Sequence, residues 1–354
     1  MLLLNPGPVT LTERVRRSLL QPDLCHRESE FFDLQDEARR RLLDVYALDS
    51  AVWTAALITA SGTGAVESMI ASLVPAEGRL LIVENGVYGD RMAQICAQYG
   101  VAHERVTGDW LQAPDWDDVA ARLDQGSFSH AALVHHETTT GRLNDLSALA
   151  EICRTRGVGV LCDGVSSFGA EEIDFADPSL EAVAGTANKC LHGVPGVSFV
   201  IARRRALARA ARRTYYLDLG RLARLQDERG TPFTPAVHAC YGLVEALREF
   251  ADEGGRSARH RRYAALAERV RSGLAERGIE GAIPARESSV VLRAYRLPPL
   301  VTYTMLHEAL KAEGFVIYAG QSHLTSTLFR ISTMGDVSSA DIDRLLQCVA
   351  RLLE

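Results

Sequence analysis

The stretch Gly185-Thr-Ala-Asn-Lys189-Cys-Leu-His-Gly-Val-Pro-Gly196-Val197 decides how this chain is interpreted. It contains Lys189, one of only two lysines among 39 lysine and arginine residues, and the other, Lys311, lies in an exposed helical pattern. Because arginine fills almost every other cationic position, a retained lysine indicates a role that arginine cannot perform. Burial can lower the pKa of an amine until it reacts covalently, whereas a guanidinium stays protonated. Lys189 is therefore either a reactive amine or a buried structural lysine.

Outward from this stretch, short apolar runs alternate with amphipathic ones. The predicted strands are 55–59, 79–84, 103–106, 131–135, 159–163, 182–185 and 197–202, and the predicted helices between them are 64–74, 89–99, 116–123 and 146–156. Several of these strands are continuously apolar, as strands covered on both faces are. The alternation predicts an α/β fold with a mostly parallel sheet.

Beyond residue 203 the alternation gives way to an arginine-rich stretch and then a long predicted helix at about 237–253. The remainder reads as helices 257–277, 302–313 and 339–353 with strands 289–293, 315–318 and 328–332. We expect an N-terminal segment of residues 1–15, a large domain of residues 16–250 and a smaller α+β C-terminal domain of residues 251–354.

The composition narrows the class of protein. With 47% hydrophobic and 24% charged residues over 354 positions, the chain has the composition of an ordinary globular protein. A net charge of −6 disfavours a nucleic-acid partner, and no apolar run reaches the length of a membrane helix. The seven cysteines, an odd number without a CxxC pair, indicate reduced thiols and a cytoplasmic location.

Two further segments carry candidate chemistry. The turn Ser61-Gly-Thr63-Gly64 links a predicted strand to a helix, and such a helix N-terminus offers backbone N–H groups to an anion. The turn could also be rich in glycine and serine for geometry alone. Asp163 ends an apolar strand, where open α/β sheets bind ligands, or it caps a helix. An aspartate beside a pyridinium nitrogen and a lysine that bonds the cofactor are together what pyridoxal phosphate chemistry requires, so the pair Asp163 and Lys189 indicates that cofactor.

The pair His135-His136 suggests a metal site less strongly. Adjacent residues of a strand point to opposite faces of the sheet, and the spacing matches no zinc pattern. We predict no metal here. The threonines before Gly141 are expected to line a cleft.

Seven segments then occur in a characteristic order along nearly the whole chain. They are Asn5-Pro-Gly-Pro8, Ser61-Gly-Thr63, Asn85-Gly-Val-Tyr-Gly89, His136-Glu-Thr-Thr-Thr-Gly141, Asp163-Gly-Val-Ser-Ser-Phe-Gly169, Ala187-Asn-Lys-Cys-Leu-His-Gly-Val-Pro-Gly196 and Leu328-Phe-Arg-Ile-Ser-Thr-Met-Gly335. The set resembles the class V (fold type I) aminotransferases, which use pyridoxal 5'-phosphate.

The resemblance implies roles for individual residues. Lys189 and Asp163 would be catalytic, and the residues expected to bind the cofactor with them are Ser61, Gly62, Thr63, Tyr88, Thr138 and Thr234. Tyr88 would stack on the ring, and Thr234 would reach the phosphate from the other subunit, which implies a homodimer with shared active sites. Arg330 would hold the acid group of the substrate. As alternatives, Tyr88 is a core aromatic, Thr234 a turn residue and Arg330 part of a salt bridge.

The resemblance is greatest to members of the family that exchange an amino group between a small aminophosphonate and pyruvate. The implied partners are therefore a small-molecule amine donor and pyruvate, with no nucleic acid or membrane involved. His26 and Arg27 are further candidates for substrate binding, because the matching segment lies near the substrate pocket in the family. Arg27 could instead pair with Glu28 or Glu30 on a solvated helix. Alanine–glyoxylate or serine–pyruvate transamination, or a lyase of the same fold, is the alternative function.

Overall fold

The computed structural model describes residues 1–353. The helices are α1 (Glu13–Ser18), α2 (Ser29–Asp44), α3 (Gly62–Leu73), α4 (Val87–Gln98), α5 (Trp116–Gln125), α6 (Leu146–Arg154), α7 (Arg204–Leu207), α8 (Leu219–Asp227), α9 (Val237–Asp252), α10 (Gly255–Ala275), α11 (Tyr303–Ala312) and α12 (Ser339–Leu353). The strands are β1 (Leu2–Leu3), β2 (Trp53–Ile58), β3 (Arg79–Glu84), β4 (Ala102–Thr107), β5 (His130–Val134), β6 (His136–Glu137), β7 (Arg142–Leu143), β8 (Gly159–Asp163), β9 (Leu180–Thr186), β10 (Ser198–Arg203), β11 (Leu292–Arg296), β12 (Phe315–Val316), β13 (Tyr318–Ala319) and β14 (Leu328–Ser332).

The main sheet has seven strands in the order β2-β10-β9-β8-β5-β3-β4. Only β10 runs antiparallel to its neighbours β2 and β9, and the other adjacent pairs are parallel. Strands β2, β5 and β9 are buried along their whole length, because helices cover both faces of the sheet. The predicted α/β fold with a mostly parallel sheet is confirmed.

The C-terminal region forms a second, smaller layer. A sheet in the order β11-β14-β13 packs with α10, α11 and α12 around a separate apolar cluster that includes Phe315 and Ile331. The chain's first residues belong to this region, since β1 pairs with β12 and Leu4 lies in the same cluster. The boundary at residue 250 stays a prediction, and Glu354 lies outside the described residues.

One predicted strand is displaced. Residues 289–293 were expected to be extended, whereas β11 begins at Leu292. Ser289 contacts two loops of the larger layer instead: its hydroxyl donates to the Glu171 carboxylate at 2.5 Å, and its N–H donates to the Gly141 carbonyl at 2.9 Å. Because Ser289 makes these hydrogen bonds to the larger layer, the first residues of the predicted strand 289–293 do not pair within the sheet of β11, β14 and β13. Among the described residues, no helix is long and apolar enough to cross a membrane.

Candidate active site

Most of the predicted site residues lie at one edge of the main sheet. Strands β2, β3, β5, β8 and β9 all run in the same direction, so their carboxyl ends share that edge. Asp163 is the last residue of β8, and the segments that follow β2, β3, β5 and β9 carry Ser61, Tyr88, Thr138 and Lys189 respectively. This is the edge at which open α/β sheets bind their ligands.

Lys189 is largely enclosed by the chain's own N-terminal segment. Its Nζ donates a hydrogen bond to the carbonyl of Pro6, and Gly7 packs against the side chain so closely that a Cβ there would lie 2.8 Å from Lys189 Cδ. Desolvation lowers the pKa of the amine to about 8, although the nearby Asp163 charge acts in the opposite direction. Near pH 8 a substantial fraction of Lys189 is neutral, which is the form that reacts as a nucleophile.

Asp163 is the last residue of β8, and it is 6% exposed. Its Oδ1 accepts a hydrogen bond from the Val165 N–H at 2.9 Å, and within residues 1–353 no hydrogen bond from the protein engages Oδ2. Desolvation raises the pKa of the carboxyl to about 6, while the Val165 N–H and the positive charges of Lys189 and Arg91 lower it. Asp163 is therefore mainly ionised at neutral pH, with one oxygen available to a cationic partner.

The turn that precedes α3 has the form of an anion cradle. Ser61 is the N-cap residue of α3, and its hydroxyl makes no capping bond to the helix. The helix begins at Gly62, two residues earlier than predicted, so the N–H groups of Gly62 and Thr63 are at its first turn. A Cβ at position 62 would lie 2.7 Å from Val165 Cγ1. Glycine is thus needed for the cradle to pack against the turn that follows Asp163.

Tyr88 is held in the first turn of α4 by a carboxylate that sequence reasoning missed. Glu137 is fully buried, and it accepts hydrogen bonds from the N–H of Tyr88 at 3.2 Å and of Thr139 at 3.0 Å. Its side chain occupies the space over Gly86, where a Cβ would lie 2.2 Å from Glu137 Cδ. Desolvation raises the pKa of Glu137 to about 7. The available signal was the position of Glu137 three residues after the end of the apolar strand β5.

Arg330 reaches the same edge from β14. It is 3% exposed, its Nε donates to the Ala319 carbonyl at 2.7 Å, and its Nη1 donates to Gln321 Oε1 at 2.9 Å and to the Thr138 carbonyl at 3.0 Å. Burial lowers the pKa of this guanidinium. No carboxylate lies within ion-pair distance of it in residues 1–353, so the salt-bridge alternative does not hold there.

The adjacent histidines His135 and His136 form hydrogen bonds with the loop that follows Asp163. His135 Nδ1 lies 3.0 Å from the Ser167 hydroxyl, and His136 Nδ1 lies 3.0 Å from the Ser166 carbonyl. Both are buried, and desolvation lowers the pKa of each, to about 4 for His135. Neutral rings therefore support the loop after Asp163. In the described part of the chain, no group of His, Cys, Asp and Glu is arranged to hold a metal ion.

Three predicted residues are not brought to this edge by contacts within one chain. Arg27 is exposed in the turn before α2, and neither it nor the half-buried His26 makes a side-chain hydrogen bond or an ion pair with any residue of 1–353. The alternative pairing of Arg27 with Glu28 or Glu30 is therefore absent. Thr234 is also exposed, in the loop before α9. The roles predicted for these three residues remain predictions.

Comparison with known proteins adds a family and a fold. A model of the family described as Aminotransferase class-V matches residues 19–345. A 2-aminoethylphosphonate–pyruvate transaminase of Aeromonas hydrophila subsp. hydrophila is 36% identical over 99% of this chain and 94% of its own length. One from Bacillus cytotoxicus is 35% identical over 99% of this chain and 97% of its own length. The crystal structure of alanine–glyoxylate aminotransferase from Nostoc sp. superposes with a TM-score of 0.92 at 25% identity, covering 100% of this chain and 95% of that one.

The side chains at the sheet edge fit the cofactor of these enzymes. The lowered pKa of Lys189 suits an amine that must bond an aldehyde, the unengaged oxygen of Asp163 suits a protonated ring nitrogen, and the unbonded hydroxyl of Ser61 suits a phosphate. Fold and site together define a pyridoxal-phosphate-dependent enzyme of fold type I. When bound, pyridoxal 5'-phosphate supplies an aldehyde that combines with amines and a ring that accepts an electron pair. With the family model spanning most of its length, the chain belongs to the class-V aminotransferases.

Proposed function

We propose that this aminotransferase moves an amino group between 2-aminoethylphosphonate, or a close aminophosphonate, and pyruvate, giving phosphonoacetaldehyde and alanine. The observation that carries the proposal is the buried Arg330, which donates to the Thr138 carbonyl, lies close enough to Lys189 for the two charges to interact, and has no acidic partner in the described chain. Its planar fork can pair with two oxygens of a phosphonate or of a carboxylate. Support for the phosphonate comes from the relatives bearing that name, which align with 98–99% of the chain.

Each residue of the site is proposed to have a separate role in the reaction. Lys189, when neutral, takes the proton from the amine-bearing carbon of the substrate and returns it in the reverse direction. Asp163 keeps a proton on the ring nitrogen, so that the ring can accept electrons. Ser61, Gly62 and Thr63 hold the phosphate at the start of α3, and Tyr88 and Thr138 set the plane of the ring. Arg330 orients the acid group of each substrate in turn.

The substrate assignment is tested by comparing amino donors under one set of conditions. We expect kcat/KM with 2-aminoethylphosphonate and pyruvate to exceed that with serine and pyruvate or with alanine and glyoxylate. A preference for either carboxylate pair would overturn the assignment and place the enzyme with the serine–pyruvate or alanine–glyoxylate transaminases. Transamination with neither phosphonate nor carboxylate donors, but elimination from one of them, would favour a lyase.

Arg27 and His26 are proposed to provide a second cation for the phosphonate, which carries nearly two negative charges at neutral pH. Arg330→Lys should impair both half-reactions, because each substrate presents an acid group. Arg27→Ala should impair the half-reaction of the aminophosphonate much more than that of pyruvate, as measured by single-turnover spectra. Arg17→Ala, at an exposed position paired with Glu13, is the matched control and should leave both unchanged. Equal losses in both half-reactions on changing Arg27 would remove it from the phosphonate site.

We also propose that the active enzyme is a homodimer in which Thr234 completes the partner's site. Thr234 is exposed, and beside it Arg221 stacks on Phe233 and on Tyr215, which is 75% exposed. An exposed group of aromatic side chains of this kind is typical of a surface that another molecule covers. In a twofold dimer each chain would supply the same residue to the other.

A mixing experiment distinguishes sharing from a role within one chain. Lys189→Ala and Thr234→Asp should each be inactive, the second because a carboxylate would repel the cofactor phosphate. In mixed dimers, the site that keeps Lys189 receives an intact Thr234 from the other chain, so activity should return. Failure of an equimolar, co-refolded mixture to regain activity would mean that Thr234 acts within its own chain.

A further inference from the structure

Arg91 lies beside the candidate phosphate cradle, and no acidic side chain of the described residues pairs with it. It lies on α4, one helical turn after Tyr88, with its guanidinium carbon 4.8 Å from the centre of the Tyr88 ring. Its Nη1 donates to Thr63 Oγ1 at 3.2 Å. The adjacent Asp90 is already engaged by Arg105 at 2.9 Å and by Gln94 at 2.7 Å. Within residues 1–353 no carboxylate forms an ion pair with Arg91.

The phosphate cradle itself provides little positive charge. Helix α3, whose sequence is GTGAVESMIASL, contains no lysine or arginine. Its dipole contributes the equivalent of about half a positive charge at the first turn. A phosphate monoester carries about −1.5 to −2 charges at neutral pH. A cation from outside the helix is therefore needed to balance the phosphate.

We propose that Arg91 is a binding residue for the phosphate of the cofactor. Its contact with Thr63 places the guanidinium at the mouth of the cradle, and its stacking on Tyr88 limits its rotation. One turn of α4 would then supply both the aromatic side chain for the ring and the cation for the phosphate. The inference rests on the cofactor and not on the amino donor, so it holds whichever substrate the enzyme prefers.

The inference is tested by comparing two ligands that differ only in the phosphate. Apoenzyme is titrated with pyridoxal 5'-phosphate and with pyridoxal, and binding is followed by the visible absorption band. Arg91→Met, which keeps much of the side-chain volume, should weaken binding of pyridoxal 5'-phosphate by roughly tenfold to a hundredfold, the usual range for a charge-assisted hydrogen bond. Binding of pyridoxal should change by less than about twofold, since it lacks the group that Arg91 contacts.

Two further variants and a competition complete the test. Arg91→Lys should lose less affinity than Arg91→Met, because it keeps the charge. Arg105 lies on β4 and pairs with Glu84 and with Asp90, the neighbour of Arg91 on α4. Arg105→Met should leave the affinities for pyridoxal 5'-phosphate and for pyridoxal unchanged. Inorganic phosphate should compete with pyridoxal 5'-phosphate on the wild-type apoenzyme and compete more weakly on Arg91→Met. Equal weakening of both ligands in Arg91→Met, or weakening of neither, would overturn the proposal.

Discussion

Gly7 affects the position of the Lys189 amine in two ways. It leaves room for the lysine side chain, and its backbone adopts a conformation that favours glycine. Its φ is +120°, in the region that favours glycine, and a Cβ there would lie 2.8 Å from Lys189 Cδ and 2.9 Å from Cε. Comfortable carbon–carbon contacts are about 3.5–4.0 Å, so Gly7→Ala requires a displacement of about 1 Å. Because the Lys189 side chain is flexible and Gly7 lies between Pro6 and Pro8, whose rings restrict the backbone, we expect the amine to move.

The same substitution therefore has two separable costs. A non-glycine residue in this backbone conformation costs about 1–3 kcal/mol of unfolding free energy. A misplacement of about 1 Å at a reacting group lowers turnover by about a hundredfold. Gly196→Ala is the matched control, because φ at Gly196 is +121° but the nearest contact of its Cβ would be Ala239 Cβ at an ordinary 3.5 Å.

The assay measures both quantities on both variants. Denaturant unfolding should show similar losses of stability for Gly7→Ala and Gly196→Ala. Steady-state turnover, measured at saturating cofactor, should fall about a hundredfold for Gly7→Ala and change little for Gly196→Ala. If the two variants retained equal turnover, or if the loss for Gly7→Ala disappeared under conditions that restore its stability, the steric argument would be refuted.

Three other outcomes follow from the buried ionisable groups. Asp163→Asn should keep or raise the unfolding free energy at pH 8, because burial disfavours the carboxylate. Turnover should fall by roughly a hundredfold or more. Near-normal turnover would mean that Asp163 has only a structural role. The rate at which apoenzyme attaches the cofactor, followed by stopped-flow absorbance, should rise with pH to a plateau with a midpoint near 8, because only neutral Lys189 reacts; a midpoint near the ordinary lysine value would contradict this. Glu137 has a pKa raised from 4.5 to about 7, so between about pH 4.5 and 7 the folded state retains a proton that the unfolded chain has released. The stability of the wild type relative to Glu137→Gln should therefore fall over that range, and a difference independent of pH would mean that Glu137 has the same pKa in the folded and unfolded states.

Much of the larger layer was predictable because its signals are local. Strands 79–84 and 159–163 were predicted with the boundaries that β3 and β8 have, since apolar runs of that length end at polar or glycine residues. Helix α2 carried a comparable signal, with Phe31, Leu34, Ala38 and Leu42 buried at helical spacing, but it was not predicted.

At the site, the sequence alone determined the residues whose chemistry is specific to their type. Lys189 and Asp163 stood out because few side chains can replace an amine or a carboxylate at strand ends, and the parallel sheet then brings those ends together. What only the tertiary structure decided depends on contacts between distant segments. Pro6 and Gly7 pack against Lys189, Glu137 accepts a hydrogen bond from the N–H of Tyr88, and Arg91 donates to Thr63 in the cradle without an ion-pair partner in residues 1–353. No local pattern encodes such contacts, because burial and the absence of a partner are properties of the packed chain.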